Sequence, residues 1–319
     1  MGRSFIVLAS VLVIACTLGA CAPMTAPPGL ANDTPAVSSD YFLTRDGLRL
    51  PLRHWDAEHP KAIIVALHGM SDYSEAFDMP APYWAQHGIT TYAYDQRSFG
   101  RAPHPGIWPG GKALREDLED CVEAVRERNP GLPVFALGES MGGAVVLSAM
   151  ADPKPPRVDG VILVAPAVWS RDDMPLSYRV ALWLTAHIAP SLELSGKGLH
   201  IWPSDNIEML RKLSRDPLFQ KHTRADAVWG LVNLMDAARK APLRLPADTP
   251  PILYLYGDKD QIVPRAPTVA VAKELGKRAE VHEYPDGYHM LLRDLDGPSI
   301  WKDIVTWVDK IAISHKPTA

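Results

Sequence analysis

Cysteine is scarce in this chain. There are three, Cys16, Cys21 and Cys121, in 319 residues. Two fall near the start, so the body of the chain holds only Cys121 and no intramolecular disulfide is available to it. Cys121 lies in a helical pattern without activating neighbours and reads as a small buried hydrophobe. Excess charge is lacking as well. The 33 Lys and Arg nearly balance the 37 Asp and Glu, for a formal net charge of −4, and no basic block occurs. Nucleic acid is therefore not an expected partner. No phosphate loop, dinucleotide fingerprint or metal-ligand cluster is present, so no cofactor and no metal is expected. There is no internal repeat. The 30 prolines fall between periodic segments and form no low-complexity run. The apolar run from Phe5 to Ile14 is shorter than a membrane span requires.

That run has a different reading. Met1-Gly2-Arg3 is a short positive start, and residues 1–20 have the plan of a secretory signal. Leu18-Gly19-Ala20-Cys21 resembles the lipobox of bacterial lipoproteins. The resemblance implies that Cys21 is lipidated and becomes the first residue of the mature chain. Ala22 in the following position, where Asp would retain a lipoprotein at the inner membrane, implies the outer membrane, facing the periplasm. The alternative is an ordinary cleaved signal with an incidental Cys21. Residues 21–40 are rich in Pro, Ala, Ser and Thr without periodicity and read as a flexible, lipid-anchored tether.

The remainder alternates. Tyr41 to Trp55 reads as two short strands around the turn Asp46-Gly47. Ala62 to Leu67 is a buried parallel strand ending in His68-Gly69-Met70. A helical stretch, Ala76 to His87, precedes the strand Thr90 to Tyr94. Gly110 to Asn129 is helical, with apolar residues at steps of three and four. The strands Val134 to Leu137 and Gly160 to Val164 follow, with a helix between them. After an irregular stretch come strand Ile252 to Tyr256, helix Thr268 to Lys277, strand Glu280 to Tyr284 and helix Ser299 to Ile313. This alternation predicts an α/β fold with a mostly parallel sheet flanked by helices on both sides. The core comprises 41–167 and 246–319. Residues 168–245 form a helical lid inserted between sheet strands.

One turn carries chemistry. Gly138-Glu139-Ser140-Met141-Gly142 joins a strand to a helix, with Ser140 at the apex. This is the context of a nucleophile elbow: glycines two before and two after let strand and helix approach, and the turn lifts the hydroxyl out of the sheet. A serine needs a base, and the base needs a carboxylate to orient it. His289 follows the last strand, behind Gly287. Asp258 and Asp260 follow the strand before it. Both loops lie at carboxyl ends of strands, where open α/β sheets bind ligands. The order Ser, Asp, His is that of α/β-hydrolases. His68, directly before Gly69-Met70, reads as shaping a loop.

These pieces resemble the monoacylglycerol lipase and lysophospholipase branch of the α/β-hydrolases, the serine aminopeptidase-like group. The matching motifs are Leu67-His68-Gly69, the Asp95/Arg97/Gly100 loop, Gly138 to Gly143, Asp216-Pro217-Leu218, Gly257 to Pro264 and Gly287-Tyr288-His289. The resemblance implies a catalytic triad of Ser140, Asp260 and His289. The acid there is the fourth residue counted from the strand-end glycine, which favours Asp260 over Asp258. It also implies an oxyanion hole of the Met70 and Met141 backbone N–H groups. Two departures stand out: Glu139 where the family often has His, and Arg97-Ser98-Phe99-Gly100 where Arg-Gly-His-Gly is usual.

The expected activity is hydrolysis of carboxylic esters of medium- or long-chain acyl groups, from monoacylglycerols or lysophospholipids, with a lipid-like small molecule as substrate. The insertion is rich in large apolar residues. Most are expected in the lid's own core, with the rest roofing an apolar acyl pocket. The alternatives are a thioesterase, amidase or aminopeptidase using the same triad, and, from another class, a non-catalytic binding protein anchored in the envelope.

Overall fold

Strands β4 (Ala62–Leu67), β6 (Val134–Glu139) and β10 (Ile252–Gly257) are buried along their whole length and, Glu139 apart, carry no charge, for one reason: both faces of the sheet are covered. Their side chains alternate between two apolar layers. Ile63, Val65 and Leu67 point to one layer, Ala62, Ile64 and Ala66 to the other. The computed structural model describes residues 22–198 and 200–314. The expected signal, 1–20, and Cys21 lie outside them.

In chain order the other strands are β1 (Ala36–Val37), β2 (Tyr41–Leu43), β3 (Arg49–Trp55), β5 (Ile89–Tyr94), β7 (Gly160–Val164), β8 (Glu193–Leu194), β9 (Thr223–Arg224) and β11 (Ala279–Tyr284). Among the described residues, nine of these eleven strands form one sheet, in the order β1-β2-β3-β5-β4-β6-β7-β10-β11. The run from β5 to β11 is parallel, and β1, β2 and β3 add an antiparallel edge. Helices α1 (Pro80–Gln86), α2 (Gly111–Arg128), α3 (Met141–Ala149), α7 (Arg265–Leu275) and α8 (Gly297–Ser314) cover the faces. In α2 the residues Ala113, Leu114, Leu118, Cys121, Val122 and Val125 are buried, as their spacing predicts. In α8 the same holds for Ile300, Ile304, Trp307 and Val308. The helix expected over Ala76 to His87 is broken: a 3-10 turn, Ser74–Phe77, precedes α1, which starts at Pro80. Proline at the first helical position fixes that start, because it has no N–H to give to an earlier turn.

Between β7 and β10 the lid contributes α4 (Leu176–Ile188), α5 (Ile207–Arg215) and α6 (Ala225–Lys240), with β8 and β9 paired as a short ribbon. Helix α6 packs on α3 of the core, and α4 packs on α6. The lid is thus two helices deep at this point. That layering corrects the expectation for its apolar residues. Leu234 and Met235 of α6 are buried, whereas Trp183, Leu184 and Ile188 of the outer helix α4 are not.

The tether also differs from expectation. Residues 22–40 lie along the body: Ala36–Val37 pairs with β2, Ala26 N–H donates to Trp108 O at 2.9 Å, and Gly29 N–H donates to Asp46 Oδ2 at 2.8 Å. Composition without periodicity signals only the lack of a self-sufficient element. A segment that borrows its partners from a finished sheet edge carries no periodic signal of its own.

Candidate active site

Ser140 sits between β6 and α3 with φ 53° and ψ −114°. A left-handed φ is costly for a residue with a Cβ and persists only when the surroundings fix it. Here they do. Ser140 N–H donates to Val164 O at 2.9 Å, and its carbonyl accepts from Ala144 and Ala167 N–H at 3.0 and 2.9 Å. The flanking glycines are sterically required. A Cβ at Gly138 would lie 2.3 Å from the Gly142 carbonyl, and one at Gly142 only 2.2 Å from Leu67 O.

The two downstream loops are joined to each other. Lys259 N–H donates to Gly287 O at 2.9 Å and Asp258 N–H to Tyr284 O at 3.0 Å. Within this pair, His289 Nδ1–H donates to Asp260 Oδ2 at 2.8 Å, and Ser140 Oγ–H donates to His289 Nε2 at 2.9 Å. Asp260 Oδ1 accepts the backbone N–H groups of Ile262 and Val263 at 2.7 and 3.0 Å, which fixes the carboxylate plane. Asp258 points elsewhere and pairs with Arg265 at 2.7 Å. His289 is buried. Burial alone would disfavour its charged form, but the charge and hydrogen bond of Asp260, with the charge of Glu139, raise its pKa above the ordinary value.

Met141 opens α3 and is buried. Met70 follows Gly69, where a Cβ would lie 3.2 Å from Ser140 Cβ. Both residues thus adjoin the nucleophile through their backbones. His68 shapes this loop: it is buried, its Nδ1–H donates to Gly69 O at 2.8 Å, and its Nε2 accepts from Gln96 N–H at 3.0 Å. Burial lowers its pKa and keeps it neutral. Asp95 accepts from Ser74 N–H and Oγ–H, and Arg97 is buried between Asp46 and Asp117. The matched loop is therefore structural cross-bracing. Cys121 is buried, and desolvation pushes its thiol pKa well up.

Lid residues fasten both catalytic loops. Gln220 N–H donates to Ser71 O at 2.9 Å, beside Met70. Ser204 Oγ–H donates to Asp294 Oδ1 at 2.6 Å, while Asp294 Oδ2 accepts from Tyr288 N–H at 2.8 Å. Burial raises the Asp294 pKa to about 6, against the pull of those two donors.

Sequence reasoning passed over one feature directly behind the nucleophile. Arg293 is buried, 2.6 Å from Asp72 Oδ2 and 3.4 Å from Glu139 Oε2. Both carboxylates are buried as well. Glu139 was visible as a departure from the family pattern, but Asp72 and Arg293 stand 221 positions apart and carried no signal. The same two residues floor a cavity of about 680 Å³ between Tyr73, Glu75 and Asp78 on one side and α5 on the other, with Glu208, Arg211, Lys212 and Arg215 in its wall. Charged side chains stand in its wall, yet most of the surface exposed to it is apolar, and neither Ser140 nor His289 lines it.

The sequence profile of the family described as serine aminopeptidase, S33, matches residues 58–296. The chain belongs to that family. It is similar to the monoacylglycerol lipase of Mycolicibacterium smegmatis, at 27% identity over 87% of this chain and 98% of that protein. It is also similar to human monoglyceride lipase, at 25% identity over 90% and 95%. A soluble variant of Saccharomyces cerevisiae monoglyceride lipase, solved with a substrate analogue, superposes with a TM-score of 0.73 at 19% identity, over 92% of this chain and all of that one. The fold is that of the α/β-hydrolases, and this S33 family member is a serine ester hydrolase. Among the described residues no group of three or more His, Cys, Asp or Glu is placed to hold a metal ion.

Proposed function

We propose that this S33 family member hydrolyses monoacylglycerols or lysophospholipids with medium- or long-chain acyl groups, through an acyl-enzyme on Ser140. The observation that carries the reading is the unbroken relay from Ser140 Oγ through His289 to Asp260. His289 takes the hydroxyl proton as Ser140 attacks the ester carbonyl. The Met70 and Met141 N–H groups stabilise the tetrahedral oxyanion. His289 then protonates the leaving alcohol, and water repeats the cycle to release a fatty acid. Asp260 holds the tautomer and stabilises the imidazolium. The two relatives compared above by sequence are named for action on monoacylglycerols, which favours that class. A panel of p-nitrophenyl acetate, a long-chain monoacylglycerol, a lysophospholipid and matched thioester and amide substrates tests the proposal. The expected result is the highest kcat/KM on one of the two lipid esters. Preference for the thioester or amide would overturn it.

Location belongs to the same proposal. Cys21 carries lipid and holds the enzyme at the bacterial outer membrane, facing the periplasm. Cys21→Ala is expected to abolish labelling by a fatty-acid probe and move the protein to the soluble envelope fraction. A wild type that takes up no label would sink the lipobox reading.

A further inference from the structure

The lid reaches the catalytic loops through irregular chain. Residues 202–206, directly before α5, belong to no helix or strand. Yet each of the five makes a hydrogen bond to the loops that carry the acid and the base. Trp202 N–H donates to Gln261 Oε1 at 3.0 Å, beside Asp260. Pro203 O accepts from Met290 N–H at 2.8 Å. Ser204 Oγ–H donates to Asp294 Oδ1, Asp205 Oδ1 accepts from Leu295 N–H at 2.9 Å, and Asn206 Nδ2–H donates to Arg293 O at 3.0 Å. Ser204 is fully buried and Asp294 nearly so. A segment with no ladder of its own takes its shape from the groups it bonds.

Acid and base differ in their support. Asp260 is fixed by its own loop, through Ile262 and Val263 N–H. The base loop is tied to the acid loop as far as Gly287. Beyond Gly287 the partners come from the lid. Tyr288 N–H, immediately before His289, donates to Asp294 Oδ2, and the lid holds the other oxygen of Asp294 through Ser204. Met290 N–H, immediately after His289, donates to Pro203 of the lid. The peptide groups on both sides of the base therefore end on the lid, one directly and one through Asp294.

We propose that Ser204 and Asp294 are positioning residues for the base: with Pro203 they hold both peptide groups flanking His289 and so keep the imidazole between Ser140 and Asp260. The proposal rests on the triad reading above. It gives the lid a task that does not depend on acyl length. His289 must stay within reach of two partners at once, at 2.8 and 2.9 Å. A misplacement of about 1 Å, caused by a change away from the chemistry, costs about 10²-fold in rate.

The test is hydrolysis of p-nitrophenyl acetate at pH 8 by the full-chain protein. This ester has no chain for a lid to cover, and Asp294, with a pKa raised by burial to about 6, is ionised. Asp294→Ala is expected to lower kcat per folded molecule by about 10–100-fold and to leave KM within a few-fold. Ser204→Ala combined with Asn206→Ala leaves every residue of the base loop in place and should lower kcat in the same direction. Asp294→Asn is the rescue. Its carbonyl can accept from Tyr288 N–H and its NH₂ can donate to Ser204 Oγ, so kcat should stay within a few-fold of wild type. Its Tm should nonetheless fall, because the buried Ser204 hydroxyl proton loses its acceptor. That split between rate and Tm separates positioning from stability. In proton NMR the far-downfield signal of the His289 Nδ1 proton should persist in Asp294→Asn and broaden or vanish in Asp294→Ala. A folded Asp294→Ala with wild-type kcat overturns the proposal. So does an Asp294→Asn that loses as much rate as Asp294→Ala, because the carboxylate would then act through its charge. If Asp294→Ala does not fold, wild-type kcat in the double lid variant overturns it. His289→Ala separates this proposal from the triad reading: an inactive His289→Ala beside a normal Asp294→Ala rejects the positioning alone, and a fully active His289→Ala rejects both.

Discussion

Asp260→Asn is expected to lower kcat by about 10⁴-fold, while Asp258→Asn stays within a few-fold of wild type. The first figure is the loss that the same Asp→Asn change causes in a chymotrypsin-type triad, transferred on geometry. The local hydrogen bonds explain why the change is severe. Oδ1 of Asp260 accepts from Ile262 and Val263 N–H, so an asparagine there keeps its carbonyl on that side. Its NH₂ then faces His289 Nδ1, where a carboxylate now accepts. The imidazole must move its proton to Nε2, the atom that has to receive one from Ser140. Asp258 lies on an exposed pair with Arg265, and such pairs contribute about 0–1 kcal/mol. Steady-state hydrolysis of a p-nitrophenyl ester by both variants decides. A crippled Asp258→Asn beside an active Asp260→Asn would reverse the assignment of the acid.

Arg293→Met should have the largest effect on stability. The guanidinium is the cation between Asp72 and Glu139 in a buried cluster. Removing one member of a buried ion group leaves charge uncompensated and costs about 3–5 kcal/mol. For a chain of this size that corresponds to a Tm lower by roughly 10 °C. The pH dependence has a definite sign. Burial already raises the Glu139 pKa, and Arg293 opposes that rise. Without Arg293 the Glu139 carboxyl titrates still further above its unfolded value, so the folded variant binds a proton more readily than the unfolded chain. Its penalty is full above that raised pKa and shrinks as pH falls through it. The Tm deficit against wild type should therefore be smaller near pH 5 than near pH 8. A deficit equal at both, measured by calorimetry, would mean that Glu139 is not ionised in the native protein.

The regular part of the fold was legible because its physics is local. Each buried parallel strand announces itself as a short apolar run, and α2 and α8 by their spacing. The nucleophile was legible because its turn demands glycine at two fixed offsets, and the base because it stands behind a strand-end Gly287. Choosing between Asp258 and Asp260 needed the family pattern, since both stand on the same loop. The hidden part is what depends on pairings across the sheet or between layers. Nothing in the run of residues 22–40 signals that it borrows hydrogen bonds from β2 and from the loop at Trp108. Nothing in Leu176 to Ile188 distinguishes a helix packed inside the lid from one stacked outside it. Arg293 became part of the site only when the fold brought it to Asp72 and Glu139.

The span between nucleophile and base has a consequence for the protein's own synthesis. Ser140 and His289 are 149 positions apart, and the strands that carry Asp260 and His289 are the last two to join the sheet's far edge. At translation rates of about 5–20 residues per second, roughly 7–30 seconds pass between the two. During that interval the elbow can form on β6 and α3, yet its hydroxyl has no base. The acid and base loops are locked to each other through Gly287, so they arrive as a unit rather than one at a time. A nascent chain is thus an unarmed hydrolase until all but its last helix has been made.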